Sequence, residues 1–293
     1  MRILHLDAGK EMRGGQWQVL RLMEGLAAAG IESTLLAREA APLYATARKR
    51  GWRVEPMGLG RALRMARLHD LVHAHDARSH TLGALLPRIP LVVARRVAFA
   101  VGSRWKYGRA RRYIAVSQFV KGVLVEGGVP AGKIDVVYDG VPVLDVAQGD
   151  SIVAPANAGD PMKGAPLAEE AARIAGVRLT ASENLERDLA HAALFLYVTH
   201  SEGLGSGALL AMSAGVPVVA SRTGGLPEIV RHGETGLLVE NEPRQIAAAV
   251  RGLLDDRERA RRMGAEARRM VMAKYTVDHM VRRTLEVYRQ VLA

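Results

Sequence analysis

The stretch Thr199 to Glu228, THSEGLGSGALLAMSAGVPVVASRTGGLPE, limits what this chain can fold into more than any other part of it. Just before it, Phe195 to Val198 (FLYV) is a short apolar run that reads as a buried strand. Ser201 to Gly207 then packs three glycines and two hydroxyls into a turn. A helix from about Ala208 to Ala214 follows, and Gly215-Val216-Pro217 stops it. Val216 to Ala220 makes the next buried strand, and Gly224-Gly225-Leu226-Pro227-Glu228 is a second glycine-rich turn at its carboxyl end. Strand, turn, helix and strand in this order belong to a parallel α/β sheet. The first N–H groups of a helix have no partner inside it, so a glycine turn that leads into one favours a phosphate or another anion. Two such turns at adjacent strand ends point to one ligand site.

The same alternation runs through the whole chain. Arg2 to Asp7 is an opening strand, and Gly14-Gly15 starts a helix that runs to about Ala29. Strands follow at Ser33 to Ala37 and Trp52 to Met57, with a helix from Leu43 to Arg50 between them. Asp70-Leu71-Val72-His73-Ala74-His75-Asp76 is a strand ending in polar groups. His73 and His75 alternate and so share one face of it, and His80 would have to fold back to join them. No known carboxylate-and-histidine spacing appears, so no metal is assigned. Pro90 to Val97 carries Arg95 and Arg96 out of an apolar run, where they need a carboxylate, a phosphate or water. Ser117 opens a helix from Gln118 to Glu126, and Lys133 to Val137 is the next strand.

Pro142 to Ser151 reads as a linker, after which the pattern restarts. The expected domains are 1–143 and 144–274, with a terminal helix at 275–293. In the second half, helices are expected at Ala168 to Ala175, Leu185 to Ala192, Arg244 to Asp255, Arg257 to Tyr275 and Val277 to Leu292, with a strand at Val177 to Thr180.

Composition narrows the chemistry. No cysteine is present, which removes disulfides, thiol nucleophiles and thiolate metal sites together. No run of eighteen apolar residues occurs, and the charged start MRILHLDAGKEMRGG is unlike a signal peptide, so a cytoplasmic protein is expected. The net charge of +11 suits an anionic partner. Nucleic acid is not expected, because aromatic content is only 4% and no recognition motif appears. The segment Arg104 to Tyr113 (RWKYGRARRY) mixes cations with aromatics and suits an anionic membrane surface, the inner membrane face for a cytoplasmic protein.

The words S-E-G-L-G, A-M-S-A-G-V-P-V-V-A-S and G-G-L-P-E-I-V resemble the signature of the retaining nucleotide-sugar glycosyltransferases of family 4. The resemblance covers nearly the whole chain and implies the GT-B fold, two doubly wound Rossmann-like domains facing a cleft, with the carboxyl domain shortened here. It implies transfer of a sugar from a UDP- or GDP-sugar to a sugar or glycolipid acceptor, in envelope glycolipid or polysaccharide synthesis, with retention and without a cofactor. By the same resemblance Glu202 contacts the donor sugar. Gly14, Gly15, Arg95, Arg96, Ser117, Lys163, Gly203, Leu204, Gly205, Ser206 and Glu228 serve the donor, and His73, His75 and Asp76 face the cleft on the acceptor side. Two departures stand out. The second glutamate of the family falls on Leu210, and the arginine that accompanies Lys163 falls on Asn157 or Ala158. These make a weak or inactive homologue that acts as a binding protein the alternative expectation.

Overall fold

The computed structural model describes residues 1–156 and 160–293. Asn157 and Ala158, where the family's second clamp cation would stand, lie outside the described residues. By its internal packing the chain divides into two units, Met1–Gly140 together with Val277–Ala293, and Val141–Thr276.

The first unit holds strands β1 (Arg2–Asp7), β2 (Glu32–Ala37), β3 (Arg53–Pro56), β4 (Leu71–Ala74), β5 (Leu91–Arg95), β6 (Arg112–Ala115) and β7 (Ile134–Val136). Its helices are α1 (Gly14–Ala28), α2 (Pro42–Lys49), α3 (Leu59–Ala66), α4 (Ala77–Ala84), α5 (Arg104–Gly108) and α6 (Gln118–Glu126). The strands form one parallel sheet in the order β3-β2-β1-β4-β5-β6-β7 among the described residues. A parallel sheet is covered on both faces, and its inner strands accordingly read as continuous apolar runs: β4 and β5 are buried at every position. Helix starts are set by side-chain caps, with Asp76 accepting the N–H groups of Arg78 and Ser79 at α4, and Ser117 accepting that of Val120 at α6.

The second unit holds β8 (Ser151–Pro155), β9 (Leu179–Ser182), β10 (Ala192–Tyr197), β11 (Val218–Ser221) and β12 (Gly236–Val239), again parallel, in the order β12-β11-β10-β8-β9. Its helices are α7 (Ala165–Ala175), α8 (Leu185–Asp188), α9 (Ser206–Ser213), α10 (Leu226–Ile229), α11 (Pro243–Asp255) and α12 (Arg257–Lys274). One face of the sheet presents Ile152, Leu194, Leu196, Val219 and Leu237, residues of matching parity on neighbouring strands, to the alanines of α7 and to Ile246 and Val250 of α11. The helix expected from Leu185 to Ala192 ends early. After Asp188 the chain makes a short 3-10 turn, Leu189–His191, and Ala192 already belongs to β10, because pairing with β8 and β11 outweighs the local helical pattern.

The last helix, α13 (Val277–Leu292), packs into the first unit, where Met280, Leu285, Tyr288 and Val291 join Leu22 and Leu26 of α1 over Ile3, Leu71 and Val92 of the sheet. A glycine permits the close approach of α1, since a Cβ on Gly25 would lie 2.4 Å from Val281 Cγ2. Among the described residues no helix is long and apolar enough to cross a membrane.

Candidate functional site

In the second unit the chain begins at β8, steps to β9 on one side, and then crosses to β10 on the other. That reversal leaves the carboxyl ends of β8 and β10 side by side, the place where open α/β sheets bind ligands. Lys163 comes from the 3-10 turn after β8 and Glu202 from the loop after β10. They meet directly, Lys163 Nζ donating to Glu202 Oε2 at 2.8 Å. Tyr197, the last residue of β10, donates its phenol to the same carboxylate oxygen, also at 2.8 Å. Burial first, and then the neighbouring Glu202, hold the Tyr197 phenol well above its usual range, so it stays protonated and donates to the carboxylate. The backbone N–H of Gly203 donates to the other oxygen, Oε1, at 3.1 Å. Glu202 is thus fixed by three donors with its side chain 13% exposed.

The two glycine turns are packed backbone against backbone. Gly225 donates its N–H to the Glu202 carbonyl at 3.1 Å, and a Cβ on Gly224, whose φ is +56°, would fall 1.9 Å from that same oxygen. Gly203, Leu204 and Gly205 are buried within this junction, and Ser206, half-buried, is the first residue of α9. Behind the turns, Ser221 Oγ receives the N–H of Thr199 and donates to Asn241, whose amide donates to the Thr199 carbonyl. Thr199 and His200 both bond to the carbonyl of Met162, the residue before Lys163. The Lys163 turn, the Glu202 loop and the Ser221–Asn241 pair are therefore joined by hydrogen bonds. Glu228 is half-buried on α10, with its carbonyl accepting the Tyr275 phenol. Leu210 lies on α9 with 5% exposure.

In the first unit the order reverses between β1 and β4. At their carboxyl ends the Asp7 carboxylate accepts the Gly9 N–H at 2.8 Å and the Gln16 amide at 3.1 Å. Burial, then the nearby Asp76, push Asp7 up to about 6. Asp76 caps α4 and accepts the Ala8 N–H at 2.6 Å, which ties the β1 and β4 loops together. Gly14 and Gly15 open α1, and the nearest neighbour a Cβ on Gly15 would meet is Arg96 Cδ, at 3.9 Å. Arg96 pairs with Asp139 at 3.2 Å. Its neighbour Arg95 instead turns inward, donating to the Phe99 carbonyl with its guanidinium 5.9 Å from the Tyr107 ring centre.

The histidines are arranged differently from the sequence expectation. His73 and His75 do share a face, but they are 1% and 6% exposed, buried beneath the strand ends rather than open to a ligand. His80 does not join them and packs edge-on to Tyr107 and Tyr113. The third ring is His5, brought opposite His73 by the register of β1 and β4. Ser117 is fully buried, and its hydroxyl serves as the α6 cap. Sequence reading also missed Tyr197, Asp7, Gln16 and Asn241. Only Asp7 left a local signal, as an acid at the end of an apolar strand.

Residues 12–143 match the profile of Glycosyltransferase Family 4, and residues 169–270 match that of Glycosyl transferases group 1. The chain is 38% identical over 112 residues to alpha-maltose-1-phosphate synthase of Mycolicibacterium smegmatis, covering 36% of the chain and 29% of that relative. It is 44% identical over 89 residues to a GDP-mannose-dependent alpha-(1-6)-phosphatidylinositol monomannoside mannosyltransferase of Mycobacterium tuberculosis, covering 30% and 23%. These matches thus take in less than a third of either relative's length. Among solved structures, Anabaena HepE in complex with UDP and glucose superposes with a TM-score of 0.87 at 17% identity, over 99% of both chains, a likeness of fold.

Proposed function

Since the chain belongs to the group 1 and family 4 glycosyltransferases, we propose that it moves a sugar from a nucleoside-diphosphate donor to an acceptor alcohol with retention of configuration. The observation that carries this reading is the Lys163–Glu202 assembly at the reversal point of the second sheet. A diphosphate set at the start of α9 meets the first N–H groups of the helix and the Lys163 ammonium, which offset the charge that develops on the leaving group. Glu202, held by Tyr197 and Gly203, is placed to accept hydrogen bonds from the donor sugar, and Glu228 completes that side. Within the first unit, taken by itself, Gly14 and Gly15 at the start of α1 and Arg96 offer helix-terminal amides and a cation of the kind a phosphate takes, and Asp76 is assigned to the acceptor. UDP- and GDP-sugars are the donor class: one relative is GDP-mannose-dependent, and HepE was solved with UDP.

The acceptor in this proposal is an envelope glycolipid or polysaccharide at the inner membrane face, and the protein is peripheral there. Its support is the first unit's exposed apolar side chains, Phe99 at 70% and Trp105 at 56%, beside Arg104, Arg109 and Arg111. The domain limits of the proposal are 1–143 for the acceptor side and 144–274 for the donor side.

The test is incubation of the purified protein with UDP- and GDP-sugars and a lipid extract, following release of nucleoside diphosphate. Release that requires both acceptor and Glu202 supports a transferase. Binding of nucleoside diphosphate without any release would convert the reading to a donor-binding homologue, and absence of binding would remove it.

A further inference from the structure

We infer that His5, His73 and His75 form a site for one divalent first-row transition-metal ion, of which zinc is the representative, pinning β1 to β4 in the first unit. Two of the rings come from adjacent strands, with His5 opposite His73 in register, and His75 follows directly after β4, two residues beyond His73. One ring nitrogen of each lies within 4.8 Å of one from each of the others. All three side chains are buried. About 3.3 Å separates ligand nitrogens around a tetrahedral zinc, so small ring rotations close the triad.

A second observation singles out the centre of the cluster. His73 Nε2 is buried without any hydrogen-bond partner, an arrangement native structures rarely tolerate. Its other nitrogen is oriented by the Tyr288 phenol at 2.6 Å, and His5 Nε2 by Ser33 Oγ at 3.3 Å. Metal-bound imidazoles are usually oriented in this way through the nitrogen that faces away from the ion. His5 Nδ1 and His75 Nε2 share one hydrogen bond at 2.9 Å. Moving that proton to Nδ1 of His75 changes no net charge and leaves three lone pairs converging. Nδ1–H of His75 and Arg96 Nη1, 3.5 Å apart, are then both donors, so that contact is given up to the metal bond while the Arg96 Nε bond to Asp139 persists. The charged group that faces the rings is Arg96, and its own charge is offset by the pair with Asp139 at 3.2 Å. Nitrogen-only ligation suits zinc, cobalt, nickel and copper rather than magnesium or calcium. Burial makes the role structural, independent of the transferase reading and of any metal chemistry on the donor.

The test uses chelator-treated full-length protein and titrates it with Co2+ and Zn2+. The expected result is one ion per chain, a raised melting temperature, and the strong visible bands of four-coordinate cobalt, with three imidazoles and one water as ligands. His73→Ala and His5→Gln should each weaken binding at least tenfold, whereas His200→Ala, at an exposed histidine, should leave it unchanged. No stoichiometric binding by the wild type, a six-coordinate cobalt spectrum, or binding retained in both cluster variants would overturn the assignment. The wild-type cobalt spectrum decides the matter even where a variant fails to fold.

Discussion

Replacing Lys163 by Ala tests the donor assignment most directly, because the structure allows its effect to be worked out in sign and size. A charge-assisted hydrogen bond from an ammonium to a phosphate contributes about 1.5–3 kcal/mol. Lys163 is already engaged, however, since it donates to Glu202 at 2.8 Å with the two side chains 29% and 13% exposed. A partly exposed ion pair of this kind contributes at most about 1 kcal/mol, and a bound diphosphate must compete with it. The net loss on Lys163→Ala is then roughly 1–2 kcal/mol, or about 5- to 30-fold in the Kd of UDP or GDP. Fold stability should change by no more than about 1 kcal/mol. Glu202→Gln removes the competitor and leaves Lys163 in place, so UDP or GDP should bind as well as to the wild type or up to about fivefold more tightly. Calorimetry with the free diphosphates isolates these effects, because neither ligand carries the sugar that Glu202 is proposed to hold. Equal affinity in Lys163→Ala, or a Glu202→Gln variant weakened as much as Lys163→Ala, would refute the reasoning.

Gly224→Ala puts a methyl 1.9 Å from the Glu202 carbonyl in a left-handed conformation and should cost on the order of 1–3 kcal/mol, read as a lower urea midpoint; an unchanged midpoint would show that the two turns can separate freely. Leu210→Glu buries a carboxylate at a position only 5% exposed, so its melting temperature should fall by several degrees, and tighter UDP-sugar binding with no thermal loss would contradict that burial. His80 is pushed down to about 4 by burial and by Lys106, against 6.5 when unfolded. The unfolded chain therefore binds the extra proton at His80, and the share of stability due to His80 should decline by up to roughly 3 kcal/mol as pH falls from 6.5 towards 4, so His80→Phe should lose less stability than the wild type between those two pH values in denaturation curves. Vesicles with anionic lipid should sediment the protein at low salt through Trp105 and its neighbouring arginines, and equal sedimentation with neutral vesicles would dismiss the membrane proposal.

Local chemistry made much of this chain legible. The hydroxyl of Ser117 and the glycine after Glu126 mark both ends of α6, and three- and four-residue apolar spacing marks α13, so the sequence and the structure agree on Gln118–Glu126 and Val277–Leu292. The glycine turns around Glu202 and Gly224 were equally visible, since their backbone requirements are written in the residues themselves. What the sequence could not hold is which residues share a strand register. His5 stands 68 residues before His73 and meets it only because β4 inserts beside β1 after the chain has gone out to β3 and returned, whereas His80, seven residues from His73, ends up among tyrosines. Tyr197 reads as one more apolar strand residue until the turn after β10 folds Glu202 back onto its phenol. Sequence spacing sets turns and helix faces, while the pairing of strands far apart in the chain decides which ionisable groups are buried together.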